Sequence, residues 1–136
     1  FYLTHTKGIN NWDLVDLSAP YILGDYLKDK TDRNVMYALA GSSVMWERRF
    51  AVVSTLMLIR DGQLDDTFRL AEMLIDSRHD LMQKSIGWML REAGKRDEER
   101  LVRFLENHRH EMPRTMLRYA IEKFPEPERR EFMRKG

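Results

Sequence analysis

Apolar residues recur at helical spacing along almost the whole 136-residue chain, and no stretch keeps the sustained alternation of a strand. Ser18 as cap and Pro20 in the first turn predict a helix that runs to about Lys30. A short helix over residues 32–40 should stop at Gly41, and a long one over residues 43–60 at Asp61-Gly62. Further helices are predicted over residues 65–75, residues 80–93 with a stop at Gly94, residues 97–108, and residues 113–124. Pro125 and Pro127 precede a last charged turn or two. The connections are short, so neighbouring helices should pack antiparallel.

A repeat lies inside this pattern. Arg49-Phe50-Ala51, Lys84-Ser85-Ile86 and Arg118-Tyr119-Ala120 fall at the same point of successive helices, at spacings of 35 and 34 residues. Two helices per unit at such a period predict an all-α fold in which HEAT-like helical repeats form a curved α-solenoid with one concave face. The tetratricopeptide signature W-x2-L-G-x2-Y is absent from the sequence. On that reading residues 1–136 are a single α-solenoid domain, and Arg49, Lys84 and Arg118 line one ridge of it. A row of solvated basic side chains fits the same spacing about equally well.

Composition adds limits. Hydrophobic residues make up 43% and charged residues 33%, which suits one globular domain with its own core. There is no cysteine, which excludes disulfides and thiolate chemistry and predicts a reducing, intracellular setting. The longest apolar run, residues 51–59, is about half a membrane span and contains Ser54 and Thr55, so no membrane partner is expected. Residues 1–88 carry 10 basic and 12 acidic side chains (−2), residues 89–136 carry 13 and 10 (+3), and the total is +1. That asymmetry is too weak to argue for nucleic acid by itself. The chain opens on Phe1 rather than Met, which predicts a processed protein or a fragment.

Several chemistries have no motif here: no glycine-rich phosphate loop, no G-x-S-x-G and no H-E-x-x-H. His5 and His79 have no partner at metal-ligand spacing, and His108 and His110, two apart, face away from each other on a helix. All four are expected at the surface, with no metal and no cofactor. The nine methionines fall mainly at apolar helix positions, as core filler does. A few residues are odd for a core. Trp12 and Asp16, four residues apart, share a helix face, and Asp16 is flanked by Val15 and Leu17, a poor place for a carboxylate that seeks water. Arg49 stands at the entrance of a strongly apolar helix. Trp88 follows Gly87, whose missing side chain lets another backbone or a ligand come close. Core packing for the tryptophans and internal ion pairs for Asp16 and Arg49 compete with a functional role on these grounds alone.

Three blocks shift that balance: NWDLVDLSAP (residues 11–20), WERRFA (residues 46–51) and QKSIGWMLRE (residues 83–92). In this order they resemble the AlkD-like DNA alkylation repair family, over a stretch from about Asn10 to about Lys123. The resemblance implies HEAT-like helical repeats that cradle duplex DNA and hydrolyse the N-glycosidic bond of alkylated purines, a base-excision repair step. Carried over by position, the family's active-site set falls on Trp12, Asp16, Arg49 and Trp88, all matching in type. The implied roles are a carboxylate beside the sugar (Asp16), aromatic faces for the cationic nucleotide (Trp12, Trp88) and a phosphate grip (Arg49, extended by Lys84 and Arg118). Ser85 stands where the family commonly has alanine, a change expected to be neutral. Family members carry further repeats upstream of the W-D block, so this chain is expected to be a C-terminal portion, with activity belonging to the full-length protein. The remaining expectations are double-stranded DNA containing alkylated purines as partner, a monomeric full-length protein, and a cytoplasmic, bacterial setting. The alternative is a non-catalytic helical-repeat module that binds DNA or a peptide partner.

Overall fold

A computed structural model of the chain describes residues 19–30 and 32–134, and every regular element among them is a helix. In chain order these are α1 (Ala19–Leu27), α2 (Asn34–Ala40), α3 (Met45–Arg60), α4 (Asp65–Met73), α5 (Asp80–Arg96), α6 (Glu98–His108), α7 (Arg114–Ala120) and α8 (Glu126–Met133). The odd-numbered helices form one row, each packed on the next: α1 on α3, α3 on α5, α5 on α7. The even-numbered helices flank that row, α2 against α3, α4 against α3 and α5, α6 against α5, and α8 against α7.

The centre of the row follows from sequence. In α3 every residue from Phe50 to Leu56 is buried, and so are Leu58 and Ile59, because this helix has neighbours on nearly every side. Ser54 and Thr55 tolerate that burial because their hydroxyls donate to the carbonyls of Ala51 and Val52, each at 2.6 Å. The apolar run is therefore core, and among the described residues no helix is long and apolar enough to cross a membrane. The main core joins α3 to α7 through residues such as Leu56, Phe68, Ile86, Leu90, Leu105 and Leu117. A smaller cluster of Leu27, Met36, Ala40, Ala51, Leu58 and Leu70 ties α1 and α2 to it.

Local chemistry sets the ends. Ser42, rather than Ser43, prepares α3: its hydroxyl accepts from Val44 N at 3.0 Å and donates to Glu47 Oε1 at 2.6 Å. Asp97 caps α6 by accepting from Arg100 N at 3.1 Å. Several boundaries differ from expectation: α1 ends at Leu27 rather than about Lys30 and α4 at Met73 rather than residue 75, and two more differ at α5 and α7. α5 runs through Gly94 to Arg96, because Gly94 makes room for α6: a Cβ there would lie 2.3 Å from Leu101 Cδ2. α7 stops at Ala120, and a turn carries the chain to Pro125, the N-cap of α8, with Pro127 in that helix's first turn.

A polar latch sews the α1–α2 turn to the start of α4. Arg33 pairs with Asp66 and with Gln63 Oε1, Tyr37 donates its phenol to Asp66, and Gln63 Nε2 donates to Lys28 O at 2.6 Å. Burial, then the hydrogen bond to Asp66, push the Tyr37 phenol up to about 12.

Candidate functional site

Trp12 and Asp16 fall outside the described residues; Arg49, Lys84, Trp88 and Arg118 do not. Arg49 sits in the second turn of α3 and reaches across to α5, where its Nε donates to Ser85 Oγ at 2.9 Å. Ser85 is only 3% exposed, and its own hydroxyl proton is committed to Leu81 O at 2.8 Å, one turn back in α5. The rotor is thereby fixed with a lone pair toward α3. Trp88 lies three residues beyond Ser85, hence on the same face of α5, and is half-buried against the main core. The Arg49–Ser85 contact thus lies about one turn of α5 before Trp88.

Ser85, expected to be neutral, makes a contact across helices: its hydroxyl is the acceptor that ties Arg49 of α3 to α5. A signal for this was present in the repeat. Lys84 is the counterpart of Arg49, 35 positions on, and Ser85 is its immediate neighbour.

Of the two possibilities for Gly87, a backbone or a ligand, the structure supplies a backbone. A Cβ at Gly87 would lie 2.5 Å from Tyr119 Cβ and 2.6 Å from Met116 O, so the glycine lets α7 cross α5 closely just before Trp88.

Lys84 is half-exposed and its Nζ lies 3.0 Å from Asp80 Oδ2. The hydrogen bond to Asp80, followed by the charges of Asp80 and Tyr119, raises its pKa. Arg118 is exposed and borders a shallow depression between α7 and α8, shared with Tyr119, Glu122, Glu126, Arg129 and Arg130.

The histidines need one correction. His79 and His110 are exposed and His5 lies outside the described residues, but His108 is half-buried. Its ring packs on Phe104 with centroids 4.6 Å apart, Nδ1 is 3.1 Å from Glu111, and Nε2 is 3.8 Å from Glu72. The last turn of α6 reaches back toward α4, and no single-helix pattern contains that contact. Among the described residues no group of three His, Cys, Asp or Glu is placed to hold a metal ion.

Neither the curated proteins nor the solved structures compared with this chain include a match. The family model described as DNA alkylation repair enzyme matches residues 1–124 of the 136, and the chain belongs to that family.

Proposed function

We propose that this chain carries the active-site portion of a DNA glycosylase that hydrolyses the N-glycosidic bond of alkylated purines in duplex DNA. We also infer that its helices form a HEAT-like α-solenoid. The alternating rows support the second reading, with α1, α3, α5 and α7 stacked in order and the even-numbered helices on their flanks. The observation that supports the first is the hydrogen bond that carries Arg49 of α3 onto Ser85 of α5, one turn before Trp88, so that two residues of the expected set stand on adjacent helices. Family membership makes alkylated DNA the natural ligand for a cation and an aromatic ring so placed.

The chemistry follows from the substrate. A purine alkylated at N7 or N3 is cationic, so it leaves with the bonding electrons of the C1′–N bond and becomes neutral. The sugar left behind has oxocarbenium character, the charge type met in glycoside hydrolysis. Asp16 is the carboxylate assigned to that charge, and it also orients the water that adds to C1′ and releases a proton. The products are the free base and an abasic site. Trp12 and Trp88 offer electron-rich faces to the cationic nucleotide and exclude water. Arg49 holds a backbone phosphate, with Lys84 and Arg118 extending the grip. None of these contacts reads sequence, so selectivity comes from the lesion's charge and its labile bond.

The deciding assay is release of free 7-methylguanine from methylated duplex DNA by the full-length protein. Time-dependent release is expected. Tight duplex binding without release would leave the non-catalytic DNA-binding module, and absence of both would overturn the reading.

A further inference from the structure

We propose that Ser85 is a positioning residue: it fixes the Arg49 guanidinium across the seam between α3 and α5, in the orientation that receives a DNA phosphate. This rests on the reading of Arg49 as a DNA contact.

The geometry supplies a direction. An arginine can only donate, and Ser85 has already given its one hydroxyl proton to Leu81 O, so Ser85 Oγ acts as a pure acceptor toward Arg49 Nε. Burial of Ser85 at 3% exposure keeps water from competing for that lone pair. The consequence for Arg49 is preorganisation. A long, rotamer-rich side chain loses freedom when it grips a phosphate, and a fixed acceptor removes part of that freedom beforehand. The choice of acceptor matters too. Ser85 is neutral, so its own hold on the stem end of the guanidinium is a hydrogen bond to an uncharged oxygen. The fork formed by the two Nη groups is the edge that pairs bidentately with phosphate oxygens. Lys84 is anchored differently, by the Asp80 carboxylate on its own helix.

The test uses the full-length protein and an unmodified DNA duplex, with affinity measured against salt for wild type, Ser85→Ala, Ser85→Thr, Arg49→Ala and the double variant Ser85→Ala/Arg49→Ala. Ser85→Ala should weaken binding about threefold to tenfold, the scale of ordering one such side chain. Ser85→Thr keeps a hydroxyl able to bond back to the residue 81 carbonyl and should restore affinity. In the Arg49→Ala background, Ser85→Ala should change nothing further. A purely structural serine would shift the melting temperature while leaving affinity, measured well below it, unchanged. If Arg49→Ala weakens binding and Ser85→Ala does not, this proposal falls and the DNA reading stands. The proposal also falls if Ser85→Ala weakens binding equally with and without Arg49, a comparison that decides even where the extra methyl of threonine prevents folding. If Arg49→Ala leaves both affinity and salt slope untouched, the DNA role of Arg49 falls with it.

Discussion

Gly87→Ala sets helix propensity against helix packing. In an isolated helix the change is favourable by about 0.8–1.0 kcal/mol, because alanine restricts the unfolded backbone and covers helical hydrogen bonds. In the folded chain the new methyl would lie 2.5 Å from Tyr119 Cβ and 2.6 Å from Met116 O. Ordinary carbon contacts lie near 3.5–4.0 Å, so α5 and α7 must separate by roughly 1 Å. Neither obstacle is the end of a flexible side chain, so no rotamer change relieves the clash. Overpacking of this kind costs about 1–3 kcal/mol. Separation also loosens Met82, Ile86 and Leu90 from Met116, Leu117 and Ala120, which share the main core. The net expectation is a loss of about 1–2 kcal/mol, or roughly 5 °C in melting temperature for a domain of this size. Urea unfolding followed by helical circular dichroism measures it. Gly41→Ala is the control: its Cβ would meet Tyr37 O at 3.6 Å, an ordinary contact, and should be near neutral. A Gly87→Ala midpoint equal to or above wild type would refute the close crossing of α5 and α7.

Asp66→Ala leaves Arg33, whose side chain is 14% exposed, with Gln63 but no carboxylate, and should cost about 3 kcal/mol; an unchanged urea midpoint would show the latch to be dispensable. Tyr37 makes alkaline stability a second probe of that latch. Its phenol is raised from 10.0 to about 12, first by burial, so the fold favours the neutral form. The stabilisation is whole below the unfolded value near 10 and disappears as pH rises toward 12, so wild type should lose stability over this interval more steeply than Tyr37→Phe. Equal slopes would contradict the assignment. Asp16→Asn in the full-length protein should lower single-turnover excision by roughly two to three orders of magnitude while leaving the melting temperature intact. Near-normal excision from that variant would remove Asp16 from the mechanism.

The all-helical character was legible because it is written in local spacing. The apolar run of α3, the Asp97 cap and the prolines at 113 and 125 each act within a few turns of chain. Gly94 shows where that logic stops. A missing side chain looks the same in sequence whether it ends a helix or admits a neighbour, and here it admits Leu101 of α6. The Arg33–Tyr37–Asp66 latch was invisible for a different reason: Asp66 lies about thirty residues from Arg33 and Tyr37 and on another helix. Arg49 and Trp88 stand out as odd for a core, but only the family blocks tip them toward a site, since periodicity alone leaves each as a plausible packing residue. The contact of Ser85 with Arg49 is hinted at only by the offset between Arg49 and Lys84, because a serine inside a helix does not itself show which neighbour its oxygen will meet.

The Arg49–Ser85 contact bears on how the three basic positions of α3, α5 and α7 divide their work. Arg49, Lys84 and Arg118 are the fifth residues of α3, α5 and α7, yet each meets a different partner chemistry. Arg49 donates to a buried neutral oxygen on the next helix, so its position is tied to the α3–α5 seam. Lys84 pairs with Asp80 one turn away on an exposed surface, an arrangement that water and salt weaken and that a phosphate can replace. Arg118 is exposed beside Arg129 and Arg130. On the DNA reading, a side chain fixed across a seam reports the angle between two helices, whereas a solvated lysine follows the phosphate wherever it lies. Lys84→Ala should therefore weaken binding and flatten its salt dependence by about one counterion without affecting excision of bound lesions. Arg49→Lys keeps the charge but loses the planar fork and the Nε donor. It should retain most of the salt slope and still excise slowly, because it places a charge where the site requires an orientation. Excision at the wild-type rate by Arg49→Lys would show that charge alone suffices at this position.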